Sequence, residues 1–189
     1  MSAGRRAASG GSRRFWGWYR LTDSWAQRVV DESGVGAGQL VVDIGAGLGA
    51  LVGPLLATGA RVVAVELHDG RAQALRTRWP GEVASRRLIV VRVDALVFRL
   101  PRMPFSVVAN PPYAIASPLI GRLLAPGSGL RTAHLVLPRP VARRWVSGEA
   151  PGAGRWSRQF SVGTLMPLPR TAFRPPPHVD SQLVLVKRR

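Results

Sequence analysis

Short apolar runs, broken at intervals by glycine, proline and polar residues, set the pattern of this chain. Residues 39–44, 61–65, 87–93, 105–109 and 133–137 are nearly continuous stretches of Val, Leu, Ile and Ala. Runs of that length without polar alternation read as strands buried on both faces, as in a parallel sheet. Between them lie segments with helical signals. Thr22 or Asp23 caps a helix through about residue 32, and Gly34 ends it. An apolar helix follows the glycines at 45–49 and runs to about residue 58, and further helices span about 70–79 and 117–124. Strand and helix in alternation predict an α/β fold with a mostly parallel sheet. Two last runs, 160–165 and 182–186, read as closing strands forming a hairpin pair. No internal repeat and no second domain interrupts the pattern.

Two strand ends carry chemistry. The run 39–44 passes directly into Gly45-Ala46-Gly47-Leu48-Gly49, then a helix, then a second strand ending at Glu66. This is a nucleotide-binding strand–turn–helix–strand unit. Its glycines permit a tight turn and close ligand approach, the helix start offers free N–H groups, and an acid about twenty residues on is placed for ribose hydroxyls. Asp94 ends the third strand, where it either accepts from an adenine amino group or simply closes a turn. The fourth strand runs into Asn110-Pro111-Pro112-Tyr113. Two prolines stop strand pairing and force an extended turn. The turn pushes an amide, a carbonyl and an aromatic ring past the carboxyl end of the sheet, the edge where such folds bind ligands. Together these groups can accept both hydrogens of an exocyclic amino group while the ring stacks on its base. The plainer reading is a Pro-Pro turn with Tyr113 in the core.

Charge changes the picture more than size does. The 189 residues suit one domain, but the net charge is +17, from 27 basic residues against 10 acidic ones. Of the basic residues, Lys187 alone is lysine. A GC-rich coding sequence accounts for arginine over lysine; it leaves the scarcity of acids unexplained, and a polyanionic partner such as nucleic acid accounts for that. Residues 1–14 hold Arg5, Arg6, Arg13 and Arg14 and no acid, and read as a disordered basic arm. The arm is short and not amphipathic, unlike a transit peptide. The aromatic cluster at 15–19 is either a base-stacking surface or a lid on the core. Arg139, Arg143, Arg144, Arg155 and Arg158 form a later basic region, either a solvated face or an RNA-backbone contact. Residues 148–154 read as a flexible loop. With no Cys and three scattered His, no metal-ligand spacing is present. No apolar run is long enough to cross a bilayer, and no signal peptide is visible.

The spacing Gly-x-Gly-x-Gly behind Asp43 looks like that of S-adenosylmethionine-dependent methyltransferases. DIGAGLG, VEL, VDA, NPPY, LVLPRPVARR and FRPPPHVDS occur in that order. Together they resemble the erythromycin-resistance type of 23S rRNA adenine methyltransferase, itself similar to the 16S rRNA dimethyladenosine transferases. The resemblance covers the chain from about Trp18 onward. It implies a Rossmann-like class I methyltransferase domain over 15–189: a mostly parallel, seven-stranded sheet with helices on both faces.

The resemblance also implies roles. Gly45, Gly47 and Gly49 would line the methionine end of S-adenosylmethionine. Glu66 would bind ribose, with Leu67, Asp94 and Ala95 around the adenine of the cofactor. Asn110 and the Pro111 carbonyl would hold the target amino group at the cofactor's edge, Tyr113 would stack on the flipped base, and Phe173 would close on the substrate or the methyl-transfer site. Two departures stand out. Where the family has Gln-Asn-Phe-Leu, this chain has Trp18-Tyr19-Arg20-Leu21, so the amide is gone and Tyr19 and Leu21 face the cofactor edge. The family's small C-terminal helical domain is expected to be missing, as in the short mycobacterial form. The implied activity is methylation of an adenine in 23S rRNA, giving macrolide–lincosamide–streptogramin resistance. The protein is expected to act as a cytoplasmic monomer, without metal, on RNA not yet fully assembled into ribosomes. The alternatives are a 16S rRNA dimethyltransferase and a non-catalytic RNA-binding protein that kept the fold.

Overall fold

The computed structural model describes residues 19–189; the basic arm with Arg5, Arg6, Arg13 and Arg14, and the aromatics at 15–18, lie outside the described residues. In chain order the elements are β1 (Arg20–Leu21), α1 (Asp23–Ser33), β2 (Leu40–Ile44), α2 (Val52–Ala57), β3 (Arg61–Glu66), α3 (Asp69–Arg78), α4 (Pro80–Ala84), β4 (Leu88–Arg92) and β5 (Phe105–Ala109). Then follow α5 (Ala116–Leu123), β6 (Leu130–Pro138), α6 (Arg139–Val146), α7 (Ala153–Trp156), β7 (Phe160–Leu168), β8 (Phe173–Arg174) and β9 (Ser181–Arg188).

Seven strands form one sheet in the order β4-β3-β2-β5-β6-β9-β7. The first five are mutually parallel, and β9 runs antiparallel to both β6 and β7. The chain builds outward from β2 to β4, then returns to place β5 on the other side of β2. The strand order therefore reverses between β2 and β5, and a crevice opens at such a switch point.

Successive strand residues point to opposite faces, and each face is apolar. Val42, Ile44, Val107, Ala109, Leu135 and Val184 pack with α5 and α6 on one side. Val41, Val62, Ala64, Val108, Val136 and Leu183 pack with α1, α2 and α3 on the other. This is why the strands read as continuous apolar runs. The closing strands are longer than their cores suggest, and they are neighbours as expected, from Phe160 opposite Arg188 to Leu168 opposite Ser181.

Two features differ from the sequence reading. Residues 148–154 are not a free loop: Ala150 and Trp156 are buried, and the last of these residues open α7. A second, two-stranded sheet pairs Arg20 with Arg174 and Leu21 with Phe173. It is fastened by the Thr22 N–H, which donates to the Ala172 carbonyl at 2.9 Å. Pairs this short and 152 residues apart carry no local sequence signal.

Candidate active site

The glycine turn and the Asn110 turn leave the carboxyl ends of β2 and β5 side by side. Gly45 has φ 77°, and a Cβ there would lie 2.8 Å from Pro112 Cδ. Only glycine allows the two motifs to touch. Gly47 donates its N–H to Glu66 Oε2 at 2.8 Å, and His68 donates its N–H to Oε1 at 2.8 Å. Arg71 lies 3.9 Å from Glu66 Oε1. Glu66 thus fixes the glycine turn from below while one flank faces a cavity of about 420 Å³. Leu67, Asp94, Ala95, Pro112 and Ile115 also line it, Leu67 being half exposed at the rim. Asp94 Oδ1 accepts from the Leu96 N–H at 2.7 Å, which holds the carboxylate at the cavity wall.

On the other side of Gly45 is a notch of about 20 Å³, lined by Tyr19, Leu21, Asp43, Ala46 and Asn110 among others. Two buried oxygens there have no hydrogen-bond partner among the described residues: Asp43 Oδ2 and Asn110 Oδ1. Burial, reinforced by the negative charge of Glu66, pushes Asp43 up to about 8, so it keeps its proton at neutral pH. Asn110 Nδ2 donates to the Tyr19 carbonyl at 2.7 Å. That bond decides which end of the amide is left over: the oxygen, an acceptor.

Tyr113 sits in the short turn after the prolines. Its hydroxyl is hydrogen-bonded to Ser181 Oγ at 2.5 Å, and its ring is 5.1 Å from that of Tyr19, tilted by 51°. Burial pushes the Tyr113 hydroxyl up to about 12. It is a ring surface with a fixed tilt and keeps its proton over the neutral range.

Four expected positions need correction. Gly49 is on the lining of neither cavity: a Cβ there would fall 2.5 Å from the Trp79 ring, so this glycine serves packing. Phe173 does not stand at an open edge; it is 2% exposed and packs in the core with Leu21, because its backbone is paired in the small sheet. Leu21 itself is buried and only floors the notch. Tyr19 reaches the site through its backbone carbonyl and its ring.

Arg139, Arg143 and Arg144 lie on α6, Arg155 on α7 and Arg158 just before β7, and all five are exposed. Among the described residues none has a carboxylate within 4 Å. The rings of Trp145 and Trp156 stack at 5.6 Å and join α6 to α7, which gathers these cations on one side of the molecule. Sequence reasoning missed Ser181, and it missed Arg122, which donates to the carbonyls of Ala95 (2.6 Å) and Phe98 (2.8 Å) and so braces the Asp94 wall. It also gave Asp43 no role, although a carboxylate inside an apolar strand run is itself a signal.

Residues 14–189 match the family described as ribosomal RNA adenine dimethylase. The chain belongs to this family. The dimethylase relatives include an Arabidopsis thaliana ribosomal RNA small subunit methyltransferase, 36% identical over 85% of this chain and 47% of its own length. A Bacillus licheniformis rRNA adenine N-6-methyltransferase is 31% identical over 86% of this chain and 57% of its own length. The chain thus spans about half the length of these two relatives. The crystal structure of the 23S rRNA methyltransferase ErmE superposes with a TM-score of 0.77 at 27% identity, covering 90% of this chain and 70% of that one.

S-adenosylmethionine is the cofactor of this family, and the dimethylase site fits it. A cavity of 420 Å³ with an acid at its base and apolar walls suits a nucleoside. Beside Gly45, Asp43 Oδ2 is buried with no hydrogen-bond partner among the described residues, which leaves a polar atom free for the methionine end. Glu66, Leu67, Asp94 and Ala95 would hold the nucleoside end, and Gly45 and Asp43 the methionine end.

Proposed function

We propose that this protein methylates the exocyclic amino nitrogen of an adenine in ribosomal RNA. The observation that carries the reading is Asn110: its amide NH₂ is tied to the Tyr19 carbonyl, and its oxygen is buried without a partner. A buried orphan acceptor costs free energy unless something donates to it, and a flipped adenine brings the donor.

The cofactor supplies an electrophilic methyl on a positively charged sulfur. Asn110 Oδ1 and the Pro111 carbonyl accept the two amino hydrogens. This draws the nitrogen out of conjugation and makes its lone pair available. Tyr113, tilted by its bond to Ser181, stacks on the base and sets the line of attack. With S-adenosylmethionine held by Glu66, Asp94 and Asp43, its methyl would pass to the amino nitrogen as the carbon–sulfur bond broke with its electron pair left on sulfur, and the nitrogen would shed one proton to water. Positioning and electrostatics carry the catalysis. Unstacking the base costs a few kcal/mol, which aromatic contacts worth about 1–3 kcal/mol per base offset.

The likeness to ErmE supports 23S rRNA as the substrate. The higher identity to a small subunit methyltransferase supports 16S rRNA as the second reading. The test is mass spectrometry of nuclease fragments after incubating protein-free 23S and 16S rRNA with protein and cofactor. Methylated adenine in a 23S fragment is the expected result, and methylation confined to 16S fragments would install the second reading. No methyl group in either, with cofactor binding intact by calorimetry, would leave a non-catalytic RNA binder. Asn110→Ala should lower kcat by about 100- to 1,000-fold, the usual cost of removing one preorganised hydrogen-bonding group, while RNA affinity is kept.

A further inference from the structure

Another cavity, of about 340 Å³, opens where β6 and β7 end and β9 begins. Arg139, Pro167, Pro169, Asp180, Ser181 and Gln182 are on its wall. The order across the sheet is β5, β6, β9, β7, so this cavity and Asn110 share one sheet edge. At the usual strand spacing they are roughly 10 Å apart. Ser181 joins them: its buried hydroxyl is bonded to Tyr113 and its backbone belongs to the cavity wall.

The chemistry of the wall is specific. The Arg139 N–H donates to the Asp180 carbonyl at 2.9 Å, which seats the two side by side. The Arg139 guanidinium is nonetheless exposed, and among the described residues it has no carboxylate within 4 Å. Asp180 offers only acceptors, and Gln182 offers an acceptor and two donors. Pro167 and Pro169 present rigid, exposed apolar rings. One cation, a hydrogen-bonding edge and flat apolar faces match the phosphate, base edge and base face of a nucleotide.

We propose that this cavity receives the nucleotide next to the target adenine in the substrate RNA. The inference rests on the rRNA methylation reading and adds a specificity site to it. Arg139 holds the phosphate between the two nucleotides. The neighbouring base lies against Pro167 and Pro169 and turns its edge to Asp180 and Gln182. Because Asp180 can only accept, the neighbouring base turns a donor toward it, an amino group or a ring N–H. Through Ser181 the same strand end holds the Tyr113 ring and the neighbour's cavity wall, so the two nucleotides bind side by side.

The experiment uses synthetic RNA hairpins carrying the methylated adenine in three forms: intact, abasic on its 5′ side, and abasic on its 3′ side. For the full chain, one abasic form should raise KM by about 10- to 100-fold with kcat little changed. Gln182→Ala should raise KM for the intact hairpin and show no additional loss with that abasic form, whereas Arg139→Ala, whose phosphate the abasic RNA keeps, should raise KM on both. Their cofactor affinity and Tm should match the unsubstituted protein, which a merely structural defect would not allow. Equal rates on all three hairpins would overturn the inference and leave the methylation reading standing. Multiplying losses for Gln182→Ala on abasic RNA would also overturn it, since Gln182 would then act elsewhere. No transfer to the intact hairpin would overturn both readings.

Discussion

Single side chains at this site do two jobs at once. Glu66 faces the nucleoside cavity, and it also accepts the N–H groups of Gly47 and His68. Two graded outcomes follow. Glu66→Gln keeps one acceptor oxygen and should weaken S-adenosylmethionine binding by about 1.5–3 kcal/mol, the range for hydrogen bonds to a charged group. Glu66→Ala leaves both N–H groups unpaired in a buried place and should cost more, with a fall in Tm besides. Isothermal calorimetry beside thermal unfolding separates the two. Asn110 was legible in the sequence because its flanking prolines announce a forced turn at a strand end. Its orientation was not, because the partner is a backbone carbonyl 91 residues away.

Among elements, the two-stranded sheet couples the start of the described chain to the site. It brings Phe173 into the core and holds Tyr19 where its carbonyl meets Asn110. Phe173→Ala should destabilise the protein by about 3–5 kcal/mol, as large-to-small core changes do. It should also speed amide exchange at residues 19–22, measured by hydrogen–deuterium exchange, and lower kcat through Asn110. A Phe173 that acted only on substrate would lower kcat with Tm and exchange unchanged. Strands β2 to β6 were readable because burial on both faces writes a continuous apolar run. The small sheet was not, since two-residue strands have no period to read. The roles of Gly49 and Gly45 were inseparable in the sequence for a related reason. Both have φ near 80°, and only the neighbours, Trp79 for one and Pro112 for the other, tell packing from site.

For the whole molecule, two buried groups set opposing slopes of stability against pH. Asp43 is raised to about 8 in the fold, so the stability it contributes is present below its unfolded value near 4 and is lost as pH rises toward 8. His134, in the middle of β6, is lowered to about 4 by burial. Its contribution is present above 6.5 and lost as pH falls toward 4. Between about 4 and 6.5 the two oppose each other; between about 6.5 and 8 the Asp43 slope is no longer offset by His134, and stability should fall as pH rises. Urea unfolding at stepped pH measures this, and Asp43→Asn should flatten the alkaline limb while steepening the acidic one.

The place of β9 between β6 and β7 has a consequence for synthesis. During translation β7 is made before the strand that joins it to the sheet, so β6 presents an open edge and β7 has no partner. Unpaired apolar edges recruit other chains. The nascent protein therefore passes through an adhesive interval that closes only when residues 181–188 arrive. Slowing elongation between β7 and β9 should lower soluble yield, whereas the same delay after β9 should leave it unchanged.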